Sequence, residues 1–195
     1  MAKLKRRRTT KSRREHDNKI DLTQILLQNR QIFLYGAIDD EQSLNIVRDL
    51  IALDKINNNP IALYINSPGG FNSAGWAIID TIKGLRTPVI TMVMGKACSM
   101  AGLVSIAGKV RLMTEHSVWM AHDMAGGITG DYTTKVLDRA EWLKTEQSKI
   151  FTFLRANTKL SEGEIAKAIA GELWLSAQEC YTKGIADKLV KCNEK

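Results

Sequence analysis

The chain has 195 residues, enough for one sizeable α/β domain and too few for two comfortable ones. Its 44% hydrophobic and 25% charged residues are those of a globular protein, and no apolar run approaches the roughly 20 residues needed to cross a bilayer, which excludes a helical membrane span. The formal charge of +7 sits in one segment: residues 1–20 hold nine Lys/Arg against two acids, and the remainder carries 19 of each sign.

Residues 1–19 therefore read as a basic, flexible N-terminal tail. Contact with nucleic acid is open to such a tail, but a solvated terminus is the simpler expectation. Its arginines suit an organelle transit peptide, which Glu15, Asp17 and the lack of an apolar face oppose. The body, residues 20–190, opens with a short amphipathic helix over 21–28 (Leu22, Ile25, Leu26, Leu27). A strand over 30–36 closes on Gly36. Asp39 or Asp40 caps a helix whose apolar face is Leu44, Val47, Leu50 and Ile51. Residues 61–65 form an apolar run of the kind found in parallel strands covered on both faces. After Asn66-Ser67-Pro68-Gly69-Gly70, a helix over 72–85 turns Ala74, Ala77, Ile78 and Ile82 inward.

Residues 89–94 are a β-branched buried strand leading into Gly95-Lys-Ala-Cys-Ser99 and a small, apolar helix. Short strands are expected over 110–113 and 117–122, then a glycine-rich stretch with Gly126, Gly127 and Gly130. Residues 131–157 read as one helix about 40 Å long, with a stripe of Val136, Leu137, Ala140, Leu143, Ile150, Phe151 and Leu154. That is longer than the body needs, so it is expected to project and meet another subunit. Two capping boxes follow, Ser161/Glu164 and Ser176/Glu179, with a closing strand over 187–190 and a short tail over 191–195. Strand–helix alternation makes the fold an α/β layer. Cys98, Cys180 and Cys192 are odd in number and widely spaced, which fits a reducing compartment. With no apolar leader, the cytoplasm is expected, a plastid or mitochondrial matrix being the alternative.

The chemistry centres on Ser99, at a strand-to-helix junction that offers a side chain and free backbone N–H groups together. A small residue for close packing is the competing reading. Serine hydrolysis needs a base, a group orienting it, and oxyanion donors. Of three histidines, His16 lies in the tail and His116 in a turn, so His122, ending an apolar strand before the glycine-rich stretch, is the candidate base. A structural histidine is its alternative. The N–H of Met100 and one from Gly69-Gly70 are candidate oxyanion donors; a tight turn without chemistry also explains the glycine pair. No cofactor or metal is expected.

In chain order, Arg30-Gln-Ile-Phe-Leu-Tyr-Gly36, Leu63-Tyr-Ile-Asn-Ser-Pro-Gly-Gly70, Gly95-Lys-Ala-Cys-Ser-Met-Ala101, Met120-Ala-His122 and Leu175-Ser-Ala-Gln-Glu-Cys-Tyr-Thr-Lys-Gly-Ile-Ala-Asp187 resemble the proteolytic subunit of the Clp protease, the ClpP family. The resemblance implies a ClpP/crotonase-like repeated ββα spiral in which 131–157 is a projecting handle helix. It implies a tetradecamer of two stacked heptameric rings, fed with unfolded polypeptide by an AAA+ unfoldase. This chain carries no phosphate-binding loop of its own. By the same resemblance Ser99 is the nucleophile, His122 the general base, and Gly70 and Met100 the oxyanion hole. Gly69, Gly126 and Gly127 then line a groove that pairs with extended substrate.

Three departures stand out. The family's third triad member is aspartate, and Glu172 takes that position here, with Asp123 and Asp187 as weaker candidates. Gly171 and Leu173 flank it where the family has charges at the ring–ring contact. Asp123-Met124 follows the base instead of Gln-Pro, and the basic tail replaces the axial-loop segment. The expected activity is an ATP-dependent, Clp-type serine endopeptidase working through an acyl-enzyme. Alternatives are a catalytically impaired structural ring subunit, a processing protease of a viral or other assembly, and a crotonase-type acyl-CoA enzyme, against which the missing CoA signal counts.

Overall fold

The structure, a computed structural model, describes residues 21–125 and 132–191. The basic tail, Gly126, Gly127 and Cys192 lie outside the described residues. The elements in order are α1 (Leu22–Gln28), β1 (Gln31–Ile38), α2 (Asp40–Ile56), β2 (Ile61–Gly70), α3 (Asn72–Gly84), β3 (Val89–Cys98), α4 (Met100–Ser105), β4 (Val110–Thr114), β5 (Val118–His122), α5 (Thr133–Asn157), α6 (Glu162–Ala170), β6 (Glu172–Ser176), α7 (Ala177–Thr182) and β7 (Lys188–Val190). The strands form one sheet in the order β1-β2-β3-β4-β7, with β5 on β3 and β6 on β5. Every ladder is parallel except β5–β6. Parallel neighbours need crossovers, and α2, α3 and α4 supply three in succession. The α/β class and the family-like arrangement expected from the sequence are thus borne out.

The first three strands bend at one level. Gly36 (φ 78°) and Gly95 (φ 99°) take left-handed backbone, and the registers shift between Tyr35 and Ala37 and between Ile65 and Ser67. Below the bend β3 pairs with β4 through Ile90–Val93; above it Lys96–Cys98 pairs with β5. Buried Ser117 bridges the break: its hydroxyl accepts from Gly95 N at 2.9 Å and donates to Val93 O at 3.1 Å. The bend carries the ends of β2, β3 and β5 to a common rim, where ligands bind parallel sheets.

Several expectations need correction. In α2 the inward stripe is Ser43, Ile46, Leu50 and Leu53; Leu44 is 66% exposed and Ile51 is exposed too. Two apolar stripes compete on this helix, and the one facing the sheet wins. In α3 Ile79 is buried and Ala77 exposed. β2 is not covered on both faces: Ile61, Leu63 and Ile65 are buried, while half-buried Tyr64 stacks on exposed Phe33 at 4.9 Å. In α5 only the second half packs, through Ile150, Phe151 and Leu154; Leu137 is 65% exposed. β6 was not expected at all. It forms because β5 offers it an edge, and it buries Leu173 and Leu175.

Candidate active site

Ser99 follows the last residue of β3 and is the N-cap of α4, with φ 55° and ψ −127°. A non-glycine residue holds such a conformation only where its surroundings over-determine it. Here Ser99 N donates to Met120 O at 2.7 Å, and Ser99 O accepts from Gly102 N at 2.9 Å to open the helix. A sharp strand-to-helix turn of this kind presents a serine hydroxyl at the top of a sheet. Ser99 is half-buried there.

Gly69 presses against this turn, and Gly70 against the end of β1. At Gly69 (φ 95°) a Cβ would fall 2.7 Å from both Cys98 O and Ser99 Cβ and 3.0 Å from Met100 N. At Gly70 it would meet Ile38 O at 2.1 Å. The Met100 amide, first in α4, has no acceptor within the helix. It lies against Gly69, while the Met100 side chain is buried in the space that Gly75 leaves.

His122 closes β5, two residues past the Met120 that anchors Ser99. In the β5–β6 register His122 faces Glu172, and Met120 faces Trp174. Directly opposed residues share a face with Cβ atoms about 4.5–5.5 Å apart, within reach of a glutamate carboxylate. The other face of the pair, Trp119, Ala121, Leu173 and Leu175, is core. Glu172 accepts from Trp174 Nε1 at 2.7 Å. Among the described residues no hydrogen bond joins His122 to Ser99 or to Glu172. Catalytic hydrogen bonds are often open before substrate arrives.

The weaker acid candidates are engaged elsewhere. Asp123 accepts from Gln147 Nε2 at 2.8 Å and from Met124 N at 2.7 Å, tying β5 to α5. Asp187 accepts from Arg111 Nη2 at 2.5 Å, Arg111 N at 2.8 Å and Arg111 Nε at 3.0 Å at the start of β4. These bonds hold its carboxyl below the ordinary aspartate range. His116 is exposed in the β4–β5 turn beside Glu115. Burial pushes the Cys98 thiol up; Lys96 opposes this and Glu172 adds to it, so Cys98 stays protonated beside the serine.

Ser99, His122, Gly69, Gly70 and Met100 all face one cleft of about 1690 Å³. Its remaining wall includes Trp76, Leu103, Met124 and Phe153, with the Trp76 and Phe153 rings edge-on at 5.5 Å. Trp76 and Phe153 do not stand out in the sequence, because both fall outside the apolar stripes of α3 and α5. Glu146 also lines the cleft, buried and paired with Lys149 Nζ at 2.5 Å. Glu172 is not in the cleft wall. Among the described residues no cluster of three His, Cys, Asp or Glu suits a metal, and no helix is long and apolar enough to cross a membrane.

A family model described as Clp protease matches residues 13–193. The ATP-dependent Clp protease proteolytic subunit 1 of Protochlamydia amoebophila (strain UWE25) is 36% identical over 174 residues, 87% of this chain and 84% of its own. The ATP-dependent Clp protease proteolytic subunits of Streptococcus pyogenes serotype M5 (strain Manfredo) and Streptococcus equi subsp. equi (strain 4047) are each 33% identical over 178 residues, 89% of this chain and 91% of theirs.

Proposed function

The chain belongs to the Clp protease family, and from that premise we propose that it is a serine endopeptidase subunit cutting unfolded polypeptides delivered by a Clp-type ATPase. The observation that carries this reading is the turn at Ser99: a strained serine, glycine backbone pressed against it, and His122 facing the same cleft.

Ser99 Oγ attacks the scissile carbonyl carbon as His122 takes its proton. The carbonyl oxygen, now an oxyanion, is held by the N–H groups of Gly70 and Met100. Glu172 steadies the imidazolium. Collapse expels the amine, which takes the proton from His122, and leaves an acyl ester on Ser99. Water then attacks the ester with His122 again as base, releasing the peptide acid and restoring the serine. Extended substrate lies along Gly69, Gly126 and Gly127, pairing backbone to backbone.

Residues 20–190 are the peptidase unit, with 1–19 and 191–195 as tails. The subunit works in the cytoplasm as two stacked heptameric rings. The exposed first half of α5, with Leu137 and Trp142 on its surface, supports its role as the contact between rings. A second reading, a structural ring subunit without activity, draws on Glu172 being bonded to Trp174 and not to His122. A fluorogenic peptide assay with native mass spectrometry on the same sample separates the two. Assembled wild-type protein cleaves and assembled Ser99→Ala does not; an inactive wild-type assembly that gains activity only in mixed rings with an active paralogue favours the second.

A further inference from the structure

We infer that Trp174 is a positioning residue: its indole N–H holds the Glu172 carboxylate on the strand face that His122 shares. This rests on Glu172 acting as the acid of the triad. Along β6, Leu173 and Leu175 point into the core, so Glu172 and Trp174 stand side by side on the opposite face. That face carries their β5 partners, His122 and Met120. Trp174 Nε1 donates to Glu172 Oε2 at 2.7 Å, and among the described residues it is the one hydrogen bond made to this carboxylate.

Glutamate has one more rotatable bond than aspartate, and Glu172 is exposed on an edge strand. Without a brace its carboxylate samples several rotamers, few of which meet the imidazole. An ionised carboxylate accepts at both oxygens. With Oε2 bound to the indole, Oε1 is left for the His122 Nδ1–H. Indole is a donor only and carries no charge, so it fixes the carboxylate without competing for the proton on the histidine. Trp174 itself is 50% exposed, which the core does not require of so large a ring.

The test is a cycle of Trp174→Phe and Glu172→Asp in the full chain, with Glu172→Gln alongside. Native mass spectrometry checks that each variant assembles. Steady-state kinetics on a fluorogenic peptide are followed from pH 5 to 9. Trp174→Phe is expected to lower kcat about tenfold with KM unchanged, the scale on which outer hydrogen bonds orient a functional histidine. A loss in kcat at constant KM is a readout that a merely structural role for Trp174 would not give. In the Glu172→Asp background, where the shorter side chain needs no brace, Trp174→Phe changes kcat less than twofold. Equal losses in both backgrounds, or an unchanged or raised kcat in the single variant, overturn the inference. If Glu172→Gln keeps wild-type kcat and pH profile, Glu172 is not the acid, and the reading beneath the inference fails first.

Discussion

Replacing Gly69 by alanine tests how tightly the backbone defines the turn at Ser99. Two costs follow from the geometry. A side chain at φ 95° lies outside the usual wells and costs on the order of 1–3 kcal/mol. The new methyl would also sit 2.7 Å from Ser99 Cβ and Cys98 O. Ordinary carbon contacts are ~3.5–4.0 Å, so something must move by about 1 Å. The atoms in the way are the nucleophile and its strand, not the end of a flexible chain. A displacement of about 1 Å at a reacting group lowers the rate roughly 100-fold. The backbone strain alone lowers the melting midpoint by about 2–12 °C, and the forced displacement adds to it. Gly84→Ala is the control, since a methyl there meets nothing within 4 Å. Fluorogenic peptide turnover and a thermal scan at fixed protein concentration read both effects. A Gly69→Ala protein within threefold of wild-type kcat/KM refutes the close packing of Gly69 on Ser99.

Two further predictions concern charge. Asp187→Asn is expected to cost about 1–2 kcal/mol at pH 7, kept modest by the 39% exposure of Asp187, with peptide cleavage per assembled particle unchanged; a loss of activity at unchanged stability would instead make Asp187 a triad candidate. Glu164 accepts from Ser161 N and Oγ and pairs with Lys183, which holds its carboxyl down to about 2. Its folded pKa is depressed, so its stabilisation is complete above the unfolded value of about 4.3 and fades as pH falls toward 2. In Glu164→Gln, denaturant midpoints should vary less with pH across that window; an unchanged slope contradicts the assignment.

What could be read in the sequence was mostly short-range. Both capping boxes form as their three-residue spacing predicts, Ser161 with Glu164 and Ser176 with Glu179. Asp39 caps α2 as expected. The errors arose where tertiary partners decide. The faces of α2 around Leu44 and around Ile46 are both apolar, and only the position of the sheet selects the second. β6 is five residues between two helices, and its alternation gains meaning only beside β5. The same is true of the candidate site. Ser99 and His122 stood out by position, but the register that sets Glu172 opposite His122 and Trp174 beside it requires the folded sheet. Trp76 and Phe153 meet across the cleft from helices far apart in the chain, a contact that no local pattern encodes.

Mapping a fluorophosphonate adduct on the assembled protein tests whether Ser99 is the nucleophile. One adduct per active subunit is expected, on Ser99, formed in step with loss of peptide cleavage and absent from Ser99→Ala. Peptide cleavage that survives while Ser99 is fully labelled, or an assembled particle that takes no label, would contradict it.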